Sequence, residues 1–181
     1  MLKTTLLLSS LLCLSHFAQA QSIEDDFEGN GNINSWFGDD CNLNTNLPNP
    51  VAQGINTSST VLEYHDIGGT YANIRFDAGR NFDLANYPSF SFKIYVPSSG
   101  LTGNQNNQVS LKLQDGNLGS PWSTQTEIIK NINLDQWQTV SFDFANDPFL
   151  NLDPTSLDPT QRNDLNRVLI QINGENNSDE V

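Results

Sequence analysis

The chain has 181 residues, with 21 Asp plus Glu against 8 Lys plus Arg and a formal net charge of -13 at pH 7. Such acidity repels nucleic acid and anionic membrane surfaces, so neither is an expected partner, while carboxylates remain available for a hard cation. The length suits one domain with one real hydrophobic core.

Residues 1–20 read as a secretory signal. Lys3 supplies the positive start, Leu6 to Leu14 an apolar run too short to span a bilayer, and Ala18-Gln19-Ala20 an A-x-A cleavage site. The mature chain is then expected over 21–181, as a single domain outside the cell. Cys13 leaves with the signal, so Cys41 has no intrachain partner and reads as a small buried hydrophobe. His16 leaves too, which makes His65 the only mature histidine. One His with one Cys falls short of a zinc site, and no G-x-S-x-G elbow supports a nucleophilic triad. No glycine-rich phosphate loop leads into a helix either.

The mature domain opens on an acidic run, Ile23-Glu24-Asp25-Asp26-Phe27-Glu28-Gly29. Strand alternation would set Asp26 and Glu28 on one side and Phe27 in the core. Calcium takes six to eight oxygens from carboxylates and backbone carbonyls, so this run is a candidate site. An acidic edge strand that discourages aggregation has the same residues, and both readings stand.

Beyond it, no window has the apolar period of a helix, and Gly, Asn, Asp and Pro punctuate short periodic pieces. This pattern predicts an all-β antiparallel sandwich, with strands over 22–28, 35–37, 59–64, 71–77, 89–96, 108–114, 124–131, 138–144 and 167–173. Polar loops are expected over 39–56 and 146–166. Ile74 and Phe76, Val140, Phe142 and Phe144, and Val168, Ile170 and Ile172 take the inward parity. The chain stops after the turn GENNSDE with a single Val181, as though another strand were starting, so it is expected to be a piece of something longer.

The stretch FSFKIYVPSSGLTGNQNNQVSLKLQDGNLGSPW, residues 90–122, holds two alternating segments joined by a polar linker. Phe90, Phe92, Ile94 and Val96 share one face with Val109, Leu111 and Leu113. If the two segments pair, the opposite face carries Lys93 and Tyr95 beside Lys112 and Gln114. Sugars stack their C–H faces on Trp or Tyr and bond their hydroxyls to amides and charged groups. Outward or loop positions suited to this are Tyr71, Asn73, Arg75, Lys93, Tyr95, Lys112, Gln114, Asp115 and Trp122. Trp122 is the best stacking platform, with a loop anchor on the rim as the plain alternative. Trp137 reads as a core-edge plug, and Trp36 suits either role. A neutral polymer needs no opposite charge on the protein; an acidic one would use Arg75, Lys93 and Lys112. No strand carries outward acids at alternate positions, so a catalytic carboxylate pair is not advertised.

The run from Asn49-Pro50-Val51 through Gly54-Ile55-Asn56-Thr57-Ser58 to Val61-Leu62-Glu63-Tyr64, with FSFKIYVPSSG, VSLKLQDGN and DQWQTVSFDFA in that order, resembles a known pattern. It is similar to Bacteroidetes-type secreted carbohydrate-binding modules, galactose-binding-like jelly rolls appended to glycoside hydrolases such as laminarinases and to surface glycan-binding proteins. The resemblance spans about residues 23–173. It implies a concave sheet face for a polysaccharide, a β-glucan first among them, and an attached catalytic domain as partner. It also implies structural calcium where the first strand meets the last, at Asp26 and Glu28. The family's final strand usually carries paired aspartates, and this sequence ends before one. The expected function is therefore non-catalytic glycan binding. The alternatives are a glycoside hydrolase or lyase of jelly-roll fold, or a structural adhesion module.

Overall fold

The computed structural model describes residues 22–102 and 106–174. The expected signal segment and the residues beyond Gly174, where a turn is expected, lie outside these residues. Ten strands form among them: β1 Phe37–Asp39, β2 Cys41–Pro48, β3 Thr60–Asp66, β4 Asn73–Asp77, β5 Ser89–Ile94, β6 Gln108–Gln114, β7 Thr126–Asn131, β8 Gln138–Asp143, β9 Leu150–Asn151 and β10 Arg167–Ile172. Their pairing is antiparallel throughout. One sheet has six strands in the order β1-β4-β10-β6-β7-β9, and two-stranded sheets are made by β2 with β3 and by β5 with β8. The chain is an all-β antiparallel sandwich.

Alternation explains the layers. Ile74 and Phe76, Val109, Leu111 and Leu113, Ile128, and Val168, Ile170 and Ile172 turn one face of the six-stranded sheet inward, and all are buried. Ile94, Val140, Phe142 and Phe144 close the core from the opposite side, with Phe90, Phe92, Leu43, Leu62 and Tyr64 packed against it. Phe92 stacks on Phe142 at 5.4 Å between ring centroids, and Phe90 meets Phe144 edge-on at 5.9 Å. Such aromatic pairs add to the area they bury.

Three sequence expectations need correction. First, residues 22–28 form a looped turn. Asp25 Oδ1 accepts the Phe27 amide and Asp26 Oδ1 the Glu28 amide, both at 2.9 Å. Short aspartate side chains bonding their own backbone two residues on outcompete a strand ladder. Phe27 sits at φ 58°, outside any strand. Second, part of the expected loop over 39–56 is strand β2, and the expected loop over 146–166 holds the two-residue strand β9. Leu43 and Leu47 do alternate with asparagines, but the register shifts between Asn44 and Leu47, which hides the period, and asparagine is a poor strand former. Third, β5 and β6 are not partners. β5 pairs with β8, and β6 lies between β10 and β7.

Gly38 and Asp40 let the chain leave one layer for the other. A Cβ on Gly38 would lie 3.0 Å from Cys41 Sγ, and Asp40 turns the chain at φ 52°. That crossing places β1 at the edge of the six-stranded sheet, with Phe37 and Asp39 on its outer face.

Candidate functional site

The face of the six-stranded sheet that points away from the core is the candidate site. Its residues follow from register. Phe37 lies opposite Arg75, Arg75 opposite Leu169, Leu169 opposite Lys112, Lys112 opposite Glu127 and Glu127 opposite Leu150, one row across all six strands. A second row runs from Asp39 to Asn73, and from Gln171 through Ser110 to Ile129. Continuing the Ile170–Ile74 register by one position sets Gln171 beside Asn73. A third row holds Asp77, Arg167 and Gln114.

This face is buried at its centre and open at its margins. Lys112 is 3% exposed, Gln114 5%, Gln171 1%, Leu169 6% and Asn73 7%, whereas Phe37, Ile129 and Leu150 are exposed. Polar groups buried so deeply need partners. Gln114 Nε2 donates to Gln125 Oε1 at 2.8 Å. Lys112 Nζ lies 3.9 Å from a Glu127 carboxylate oxygen. Arg75 donates through Nε to Asp39 at 2.8 Å and stands over the Phe37 ring at 4.7 Å. Arg167 grips Asp77 with Nε at 2.6 Å and Nη2 at 3.2 Å. Among the described residues of this face, two side-chain atoms lack a partner: Asn73 Oδ1 and Gln171 Oε1, both buried hydrogen-bond acceptors. Each unsatisfied buried acceptor costs about 1–3 kcal/mol.

Asn73, Arg75, Lys112 and Gln114 thus share one face, as alternation predicts. Lys93 and Tyr95 do not join them. They belong to β5 and its continuation in the other layer, where Lys93 is exposed and Tyr95 packs on Trp137 at 5.7 Å. Tyr71 is exposed in the loop before β4, its carbonyl accepting from Asn73 Nδ2. Trp122 is 59% exposed in the 3-10 turn Pro121–Thr124. Its carbonyl accepts from the Gln125 amide, and the Gln125 side chain bonds Gln114. Trp122 therefore stands at the Gln114 end of the face. Trp137 is half-buried and donates to the Val51 carbonyl at 2.7 Å. Trp36 packs edge-on against Phe76 at 5.0 Å and donates to Asp25, a structural role.

Arg167, Leu169 and Gln171 were legible as the outward set of the last strand, and Asp77 as that of β4. What the sequence does not show is that β10 lies between β4 and β6, which makes those residues the centre of the face. Phe37, Asp39 and Glu127 carry no comparable signal.

Asp26 and Glu28 serve as caps. Asp26 accepts the Asn30 side-chain amide and the Glu28 backbone amide, which hold its carboxyl below the usual range. Glu28 accepts the Ser59 hydroxyl and the Thr60 amide, with the same effect. Both carboxylates thus face donor hydrogens and reach toward different neighbours, an arrangement that does not suit a shared cation. Among the described residues, no group of three or more His, Cys, Asp and Glu is placed to hold a metal. Calcium at Asp26 and Glu28 remains a proposal that requires both to release these donors. With the loop closed in this way, chelation with EDTA is expected to leave the thermal midpoint unchanged. A fall of several degrees, reversed by added calcium, would restore the metal reading.

Cys41 is a free cysteine and half-buried, with its Sγ 3.3 Å from the Asn73 carbonyl. Burial, aided by Asp39 and Asp66, pushes its thiol up to about 11, so it is an unreactive packing residue. No helix among the described residues is long and apolar enough to cross a membrane. No family model matches the chain, and no curated protein matches it.

Proposed function

We propose that the chain is a secreted, non-catalytic carbohydrate-binding module of the galactose-binding-like jelly-roll type, holding a polysaccharide on the outer face of its six-stranded sheet. Its work would be to keep an attached enzyme or surface receptor close to a long glycan. The observation that carries this reading is the adjacent pair of unsatisfied buried acceptors, Asn73 Oδ1 and Gln171 Oε1. Acceptors buried this deeply are served by ordered water, through which a glycan lying on the open margin of the face would be held. The rows around the pair supply amide and charged groups, and Phe37 and Trp122 supply exposed rings at the margin and one end. The carboxylates of the face, Asp39, Asp77 and Glu127, are each engaged with a cation, which favours binding over acid–base hydrolysis.

Affinity electrophoresis against a panel containing a soluble β-glucan, a mannan and alginate tests this reading. Retardation by at least one glycan is expected, with micromolar-class affinity of roughly −7 to −8 kcal/mol that tethering would raise through avidity. No retardation by any glycan, with the fold intact, would overturn it. Trp122→Ala is expected to weaken binding by about 1–3 kcal/mol. Unchanged affinity would leave Trp122 as a rim residue only.

A further inference from the structure

We infer that this face selects uncharged glycans, and that Asp39 and Asp77 are the residues that exclude anionic ones. The inference rests on the reading that the face binds a polysaccharide, and it names the ligand class.

The cations here are committed to internal partners. Arg75 uses Nε for Asp39 at 2.8 Å and brings Nη1 to 3.7 Å from Asp77. Arg167 forks onto Asp77 at 2.6 and 3.2 Å and reaches the Gly116 carbonyl at 3.4 Å. Lys112 stands 3.9 Å from Glu127. Arg75, Arg167 and Lys112 set against Asp39, Asp77 and Glu127 give three positive and three negative charges, a net of zero over the rows. A uronate or sulfate group approaching Arg75 or Arg167 would have to displace a carboxylate held in place by the sheet, and would then lie against it.

The side chains of Asp39 and Asp77 are 43% and 44% exposed, while those of Arg75 and Arg167 are 22% and 15% exposed. Solvent therefore meets the carboxylates of this network before its guanidinium groups. Repulsion from them adds to the field of a chain whose net charge is -13.

A second observation selects in the same direction. The unsatisfied atoms at the centre of the face, Asn73 Oδ1 and Gln171 Oε1, are both acceptors. Ionised carboxylates and sulfates bring only further acceptors, whereas a sugar hydroxyl donates. The ligand class that fits is an uncharged, hydroxyl-rich chain.

The experiment compares a neutral β-glucan, a mannan, alginate and dextran sulfate by affinity electrophoresis, on the wild-type chain and on the double variant Asp39→Asn/Asp77→Asn, with circular dichroism to verify folding. The wild type is expected to bind its best neutral glycan at least about tenfold more tightly than either polyanion. The double variant frees the Arg75 and Arg167 forks and shifts the face by two positive charges, so the ratio is expected to fall below about threefold. Wild-type retardation by alginate or dextran sulfate as strong as by the neutral glycans would overturn the inference while leaving glycan binding in place. So would an unchanged ratio in a folded double variant. If no glycan of the panel retards the wild type, the binding reading itself fails, and the inference with it.

Discussion

Replacing Lys112 by methionine is expected to lower the free energy of unfolding by about 3–5 kcal/mol, because it breaks an ion pair in a largely buried setting. Lys112 is 3% exposed although it points away from the core, and the Glu127 side chain 3.9 Å away is only 19% exposed. Methionine keeps the length of the side chain and removes the charge, so the loss reports the weakened pairing of the Lys112–Glu127 row. Adding Glu127→Gln should return part of the loss, since the second change removes the carboxylate that Lys112 faces. Urea denaturation of the two single variants and the double variant measures this. A loss under about 1 kcal/mol for Lys112→Met would show an ordinary solvated surface lysine, with no covered polar row.

Phe142→Ala is the second large effect, with an expected cost of about 3–5 kcal/mol. Phe142 is 0% exposed and stacks on Phe92 at 5.4 Å, in the strand pair that closes the core opposite the six-stranded sheet. A domain this size carries about 5–15 kcal/mol of stability in all, so the variant should unfold at a much lower temperature. Lys93→Ala, one strand away on the solvent side, should change stability by less than about 0.5 kcal/mol. Thermal melts of both decide whether this pair forms one side of the core; equal effects would contradict it.

Those two lysines also show how far the sequence carries. In β5 and β6 the alternation was legible residue by residue, and every inward side chain of β6 is buried. Alternation gives each strand an apolar face, but it does not say which strand lies beside it. Two strands with apolar faces can stand side by side, or face each other across a core. In the first case Lys93 and Lys112 share a surface; in the second, which the fold adopts, they point away from each other. Pairing is decided by long-range packing, and nothing local in FSFKIYV or QVSLKLQ encodes it.

The candidate face was partly legible for the same reason. Asn73, Arg75, Lys112 and Gln114 follow from parity within their own strands. Leu169 and Gln171 have the same parity, and their importance comes only from β10 lying between β4 and β6. The acidic opening shows a different limit. Asp25, Asp26 and Glu28 look like metal ligands by type, but their oxygens take nearby amide, hydroxyl and indole donors first.

The claim that binding belongs to the six-stranded sheet is tested most directly by mapping amide chemical-shift changes as a soluble β-glucan or mannan is titrated in. Shifts are expected to cluster on β4, β10 and β6, around Asn73, Arg75, Leu169, Gln171 and Lys112. Shifts confined to the exposed face of β5 and β8, at Ser91, Lys93 and Thr139, would contradict it.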